Sequence, residues 1–221
     1  MKTKVLLALA GISTLGITSC TKEDTSGGGT ANVNYQVKTV NKSYTVPNST
    51  STISWTAGFV NVTEVEFEAE STAGHIKYES KAPQKLNLFT TLPALGTVVV
   101  PAGTYTKAEF EIEFGNTSTV NAFEISGMYN NTPIVFRIKD GGDYEVDAEL
   151  ANVTLIRDRT YSAMITLDFS KLTLGITAAE LNNAPKDNTG TIVILDNSGT
   201  GALYSKMKNN LQKFVATVDF Q

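Results

Sequence analysis

The chain is short of the residues that do most enzyme chemistry. Its 221 residues hold one cysteine, one histidine and one tryptophan. A lone cysteine rules out a disulfide within the chain, although an exported protein could have used one. A lone histidine, His75 in "AGHIKYES", removes most routes to a general base or metal ligand near neutral pH. Beside a glycine in an expected turn, it reads as a surface residue. Zinc would need several nitrogen and sulfur ligands that the chain lacks. The nucleophile elbow GxSxG, the phosphate-binding P-loop and the dinucleotide fingerprint are all missing. Serine or threonine with lysine, or a carboxylate pair, is left for catalysis, and no spacing singles either out. Basic charge is also scarce: 18 Lys and Arg face 22 Asp and Glu, for a net charge of −4. That argues against nucleic acid, which binds a basic face, and offers no attraction to an anionic membrane surface. No apolar run approaches the roughly 20 residues that a membrane-spanning helix needs.

The N-terminus has the marks of export. Lys2 and Lys4 precede an apolar stretch from Val5 to Ile17, too short to span a bilayer and followed by small residues. This is the pattern of a signal peptide, residues 1–19. Ile17-Thr18-Ser19-Cys20 resembles the lipobox of bacterial lipoproteins. The resemblance implies cleavage before Cys20, a diacylglyceryl thioether on its sulfur and an acyl group on the new amino end. Each buried methylene contributes about 0.8 kcal/mol, so two or more chains hold firmly where one does not. With Cys20 lipidated, no thiolate remains. The run "TKEDTSGGGT" has no apolar residue, so residues 20–31 read as a flexible tether. "KED" at positions 22–24 is similar to the export signal of Bacteroidetes-type surface lipoproteins, which implies an outward-facing outer-membrane protein. Removing the signal deletes two lysines and moves the net charge from −4 to −6.

Residues 32–221 then form one domain, whose clearest signal is alternation. Val33, Tyr35 and Val37 alternate with polar residues, as do Val65, Phe67 and Ala69 in "TEVEFEAES". The same holds for Ala108 to Phe114, Tyr144 to Leu150 and Tyr161 to Phe169. A period of two puts one face of each strand in a core and the other in water. Many such strands, separated by Gly, Pro and Asn, predict an all-β, antiparallel sandwich. Between Val62 and Val65 the apolar register slips by one, which predicts an irregularity at Thr63-Glu64. "GMYNNTPIVFRI" reads as a hairpin about Asn130-Asn131, and "KDGGDY" as another break. Two short helices are expected near the C-terminus. Thr177 and Glu180 form a capping box, and Leu203, Met207 and Leu211 make one apolar stripe. Lys206, Lys208 and Lys213 lie off that stripe, and "FVATVDF" returns to strand.

Within "VVVPAGTYTKAEFEIEF", Pro101 is expected to end a strand, Gly103 to permit a tight turn and Tyr105 to start the next strand. This segment resembles the PAGxY turn-and-strand of uncharacterised Bacteroidetes-type surface lipoproteins. "FEISGMYNNTPIVFRI" and "LGITAAELNNAPKDNTGTIVILDNS" with "LYSKMKNNL" are similar to other parts of that group. The resemblance implies an immunoglobulin- or transthyretin-like β-sandwich and brings no catalytic residue.

The acids come in rows. Glu64, Glu66, Glu68 and Glu70 share one strand face, Glu109, Glu111 and Glu113 a second, and Asp143, Glu145, Asp147 and Glu149 a third. Directly opposed like charges destabilise a sheet. Either these strands are not neighbours, or basic rows intervene, or a cation bridges them. Arg137 and Lys139 in "VFRIK" are a candidate partner row. A solvated face that discourages edge aggregation is the plainest reading. Calcium between strands and a glycosidase-type acid pair are the alternatives. The loops "LDNSG", with Asp196, Asn197 and Ser198, and "KDNTG", with Asp187 and Asn188, also have oxygen ligands for calcium, without EF-hand spacing. No other cofactor is called for.

Carbohydrate sites favour exposed aromatics, and Trp55, Tyr78, Tyr129 and Tyr144 are the candidates. Trp55 aligns with Ile53 and is expected in the core, whereas Tyr129, at a hairpin tip, is expected to be exposed. The sequence therefore reads as a non-catalytic, lipid-anchored binding, adhesion or assembly protein whose partner is a glycan or a protein. A polysaccharide-capture module, a carboxylate-dependent hydrolase and a pilus-like subunit are the rivals.

Overall fold

The computed structural model describes residues 28–72, 74–90, 94–115, 121–139, 144–196, 199–213 and 215–221, with the side chain of Ala82 left aside. The expected signal segment, Cys20, the expected tether up to residue 27, Asp143, Asn197 and Ser198 lie outside the described residues. The described part is an all-β sandwich with short helices, as the alternation requires. No helix among the described residues is long and apolar enough to cross a membrane.

The first strand, β1, spans Thr30–Val40. It takes in the last two residues of the expected tether, and Ala31 is already buried. β2 (Ser43–Thr45) leads into β3 (Thr52–Ser71), followed by β4 (Gly74–Asn87), β5 (Ala94–Pro101) and β6 (Gly103–Phe114). β7 (Phe123–Tyr129) and β8 (Thr132–Ile138) make the hairpin, before β9 (Tyr144–Leu155) and β10 (Thr160–Asp168). A 3-10 turn at Phe169–Thr173, helix α1 (Ala178–Asn182), β11 (Ile192–Ile194), helix α2 (Gly201–Lys213) and β12 (Ala216–Phe220) complete the described chain.

Two sheets result. One has the order β12-β10-β1-β5. The other has the order β11-β8-β7-β3-β6-β9, with β2 and β4 on the opposite edge of β3. Most pairings are antiparallel, but β1 with β10 and β11 with β8 are parallel. β3 organises the larger sheet. Its first half pairs with β7 and its second half with β6, while β4 runs along the other edge of the second half. The register shifts between Val62 and Glu64 against both β4 and β6, so the irregularity falls at the expected place. A second shift, between Trp55 and Ala57, is not foreshadowed by the apolar pattern.

The inward faces interlock through aromatic rings. Phe110 of β6 meets Phe67 of β3 at 5.4 Å between ring centres, Tyr35 of β1 at 6.1 Å and Phe220 of β12 at 5.1 Å. It therefore ties both sheets at one point. The Tyr35 hydroxyl crosses the core to donate to the Glu66 carbonyl.

The PAGxY corner carries the chain from one sheet to the other. Pro101 ends β5, the Ala102 N–H donates to the Gly29 carbonyl at 2.8 Å, and the Tyr105 hydroxyl donates back to the Pro101 carbonyl at 2.8 Å. The expectation for Gly103 needs correcting. Its backbone is not left-handed, and a Cβ there would meet only the Tyr105 side chain, its hydroxyl oxygen at 3.6 Å. The tyrosine hydroxyl, not glycine's freedom, holds this turn.

The helices close one side of the core. α1 carries the expected capping box: Thr177 Oγ1 accepts from the Glu180 N–H at 3.2 Å, and Glu180 Oε2 accepts from the Thr177 N–H at 2.8 Å. α2 buries Leu203, Tyr204, Met207 and Leu211. Buried Asn210 lies on the same side, and its Nδ2 donates to the Leu172 and Leu174 carbonyls at 3.0 and 2.9 Å. The 3-10 turn replaces the expected last residue of β10. Asp168 Oδ1 caps it, accepting from the Ser170 N–H at 2.9 Å, and Phe169 stays buried.

Candidate functional site

The three acidic rows lie side by side. β3, β6 and β9 are consecutive neighbours, and their carboxylates stand directly opposite one another. Glu64 faces Glu113, Glu66 faces Glu111, and Glu68 faces Glu109 across one strand pair. Across the next, Glu113 faces Glu145, Glu111 faces Asp147, and Glu109 faces Glu149. With Glu70 of β3 and Glu79 of β4, eleven described acids share the outer face of the larger sheet.

Lysines partly offset the repulsion, but not the expected ones. Arg137 is engaged elsewhere, its Nε 2.7 Å from Glu124 Oε2 across the β7–β8 pair. The partners come from β4 and from the start of β6. Lys77 Nζ lies 2.6 Å from Glu66 Oε1 and 3.4 Å from Glu68 Oε1. Lys81 sits 3.8 Å from Glu64 Oε2, and Lys107 is 2.7 Å from Glu149 Oε1 and 3.4 Å from Glu109 Oε2. Alternation reveals the face of each strand but not its neighbour, so the β4 lysines were hidden among polar positions.

The side chains crowd so closely that Glu66 is 0 % exposed. Both of its carboxyl oxygens are buried, Oε1 against the Lys77 ammonium. The charges that act most strongly on Glu111 are those of other carboxylates. Burial, then the charges of Glu66, Glu68, Glu145 and Glu109, push its carboxyl up from 4.5 to about 8. Burial, together with a hydrogen bond and charge from Glu79, raises Glu64 from 4.5 to about 7. Glu66 and Glu109 are also raised, chiefly by burial. Glu68 moves the other way: burial acts to raise it, but Glu66 and Lys77 hydrogen bonds prevail.

These shifts fix the sign of a pH effect. A carboxyl whose folded pKa is raised favours the folded chain fully below its unfolded value of 4.5 and loses that contribution as pH climbs to about 8. In a chelator, the melting temperature is expected to fall from about pH 5.5 to about pH 8.5, by about 1–2 kcal/mol of stability once solvent screening is allowed for. Glu111→Gln should flatten the profile. A melting temperature that rises steadily over this window would contradict the arrangement described here.

His75 borders one end of the face. Its Nε2 is 3.7 Å from Glu68 Oε2, beside a depression lined by Glu68, Glu70, His75, Lys107 and Glu109. That depression has a volume of about 240 Å³ and lies over the outer face of the larger sheet, among side chains of β3, β4 and β6.

The other sequence candidates do not join this site. Tyr129 is 3 % exposed, against expectation. It sits opposite Ile53 on the inward side of the hairpin, and α1 covers it. Its hydroxyl donates to Asn182 Oδ1 at 2.9 Å and to the Ala178 carbonyl at 3.2 Å. Trp55, 2 % exposed, lies in the core as expected. Tyr144 is 4 % exposed under Lys208, whose Nζ is 4.4 Å from the ring centre. Tyr78 is half-buried against the core. Asp187 Oδ1 is occupied by its own turn, accepting from the Thr189 and Thr191 N–H groups at 2.9 and 3.0 Å. Neither Asp187 nor Asp196 converges with two other acids among the described residues.

Comparison of the chain with protein-family models, with curated proteins and with solved structures returned no match.

Proposed function

We propose that this chain is a lipid-anchored, non-catalytic protein of a bacterial outer envelope, facing outward, with a binding, adhesion or assembly role. The observation that carries the reading is Cys20, placed after a lysine-led apolar segment and before a glycine-rich run, with the first strand starting at Thr30. A thioether lipid there would fix the sandwich to a membrane at one end of β1. The acidic rows stand side by side on the outer face of one sheet, which favours a binding role over hydrolysis, since a glycosidase pair works around a substrate held between its two carboxyls. Glycan capture through stacked rings is less well supported, because Trp55, Tyr129 and Tyr144 are all interior.

Replacing Cys20 tests the anchor. Wild-type protein expressed in a Gram-negative host should incorporate labelled palmitate and sediment with membranes. Cys20→Ser should incorporate none and move to the soluble fraction. Protease applied to intact cells should digest the wild-type domain. An unlabelled wild-type protein, or a serine variant that still sediments with membranes, would overturn the reading.

A further inference from the structure

The end of the sandwich where β1 begins differs from the acidic face. The Asp158 N–H donates to the Thr30 carbonyl at 2.8 Å, the Asn32 N–H to the Arg159 carbonyl at 2.9 Å, and the Ala102 N–H to the Gly29 carbonyl at 2.8 Å. The start of β1, the β9–β10 turn and the PAGxY corner are therefore pinned together. Of the large apolar side chains exposed among the described residues, Val99 at 52 % and Ile156 at 51 % are the most open, and both lie here. Val99 stands opposite Asn32 on β5, and Ile156 opens the turn. Residues 28–32, 99–104 and 153–160 hold two of the chain's three arginines, Arg157 and Arg159, and one acid, Asp158. The Arg157 stem lies against the entering chain, since a Cβ at Gly29 would fall 2.3 Å from its Cγ. The acid rows start farther along: Glu70, Glu109 and Glu149 are the nearest acids of β3, β6 and β9.

We propose that this end rests on the membrane that holds the Cys20 lipid, with Ile156 and Val99 among the lipid headgroups and Arg157 and Arg159 on their phosphates. The inference rests on the lipid anchor proposed above. Eight residues, 20–27, separate Cys20 from Gly28 and reach about 28 Å when fully extended. β1 alone runs about 33 Å away from this end. The anchor therefore keeps the start of β1 near the bilayer and cannot stand the sandwich on its opposite end. Charge then selects the face. A chain with net negative charge is repelled by anionic lipid, and the repulsion fades over about 8–10 Å in physiological salt, so the acid-poor end is the one that approaches. Guanidinium groups bind phosphate through paired hydrogen bonds, and their stems lie along apolar surface while the heads stay at phosphate level. Ile156 can enter the headgroup layer because its backbone is satisfied within the fold. Its N–H donates to the Tyr161 hydroxyl at 2.8 Å, and its carbonyl accepts from the Arg159 N–H at 3.3 Å. A contact of this size holds only beside a second attachment, which the lipid supplies.

The test places the lipidated protein in vesicles of phosphatidylethanolamine and phosphatidylglycerol. Cys20 is the chain's one cysteine, so with its sulfur lipidated a cysteine introduced elsewhere takes a nitroxide label alone. Thr104→Cys carries the label at this end, and Asn131→Cys carries it at the β7–β8 turn, beside the opposite end of β3; both positions are exposed. The label at 104 should be at least about threefold less accessible to a water-soluble relaxation agent than the label at 131. Adding Ile156→Ser, Arg157→Gln and Arg159→Gln should bring access at 104 to within about twofold of that at 131. That triple variant should still float with the vesicles through Cys20 and keep its circular-dichroism spectrum. A protein that floats but shows equal access at both labels, or a triple variant that keeps full protection at 104, would overturn the proposal and leave the anchor standing. A wild-type protein that does not float would overturn both.

Discussion

Phe110→Ala is expected to remove about 4 kcal/mol from the unfolding free energy, at the upper end of what large-to-small core changes cost. The side chain is 0 % exposed, and its ring contacts come from both sheets: Phe67 beside it, Tyr35 and Phe220 across the core. Truncation leaves a void that none of these rings can fill by rotation alone, because each is itself held by a strand. The loss combines a transfer contribution with a cavity contribution. In a domain of this size it corresponds to about 10 °C in melting temperature. Urea unfolding monitored by circular dichroism measures it directly. A loss below about 1 kcal/mol would mean that the two sheets do not meet at Phe110.

Gly127→Ala is expected to cost about 3 kcal/mol or more, for the opposite reason. The site lacks room. A Cβ at Gly127 would fall 2.0 Å from the Ser54 carbonyl oxygen and 2.8 Å from Trp55 Cα. These are backbone atoms of β3, at the shift between Trp55 and Ala57. They can withdraw only if β3 and β7 separate, and that would break the ladder on which the hairpin hangs. Gly103→Ala is the comparison, since its Cβ would make only ordinary contact with the Tyr105 ring. It should change stability by less than about 1 kcal/mol. Equal effects from the two substitutions, read from denaturant midpoints, would contradict the close approach at Gly127.

Both cases mark the boundary of what the residues reveal on their own. Phe110 is legible as an inward residue because Glu109 and Glu111 flank it, and alternation reports local geometry faithfully. The slip at Thr63-Glu64, the Thr177–Glu180 box and the stripe on α2 are likewise local, and each is where the pattern puts it. Which strand lies beside which is not local. Nothing in "AEFEIEF" shows that its acids oppose those of "TEVEFEAES", or that "HIKYESK" supplies lysines along the other edge of β3. Opposed carboxylates suggest separated strands, yet the apolar faces of β3, β6 and β9 bury enough surface to hold the rows together. The cost is lessened by lysines and by protons retained on Glu64 and Glu111. Tyr129 fails for a related reason. A hairpin tip looks exposed until a distant helix, α1, is known to rest on it.

The placement of β1 also has a mechanical meaning. Tension applied to the chain at Gly28 runs along the axis of a strand clamped on both sides. Nine residue pairs join β1 to β10, and β5 grips its first half from the other side. A peripheral ribbon tugged at its tip unzips one rung after another. A central one loaded lengthwise must slide past every rung at once, so the applied load is shared and rupture comes late. Under the proposed anchor, drag on the body would meet its stiffest resistance at the N-terminal end of this strand.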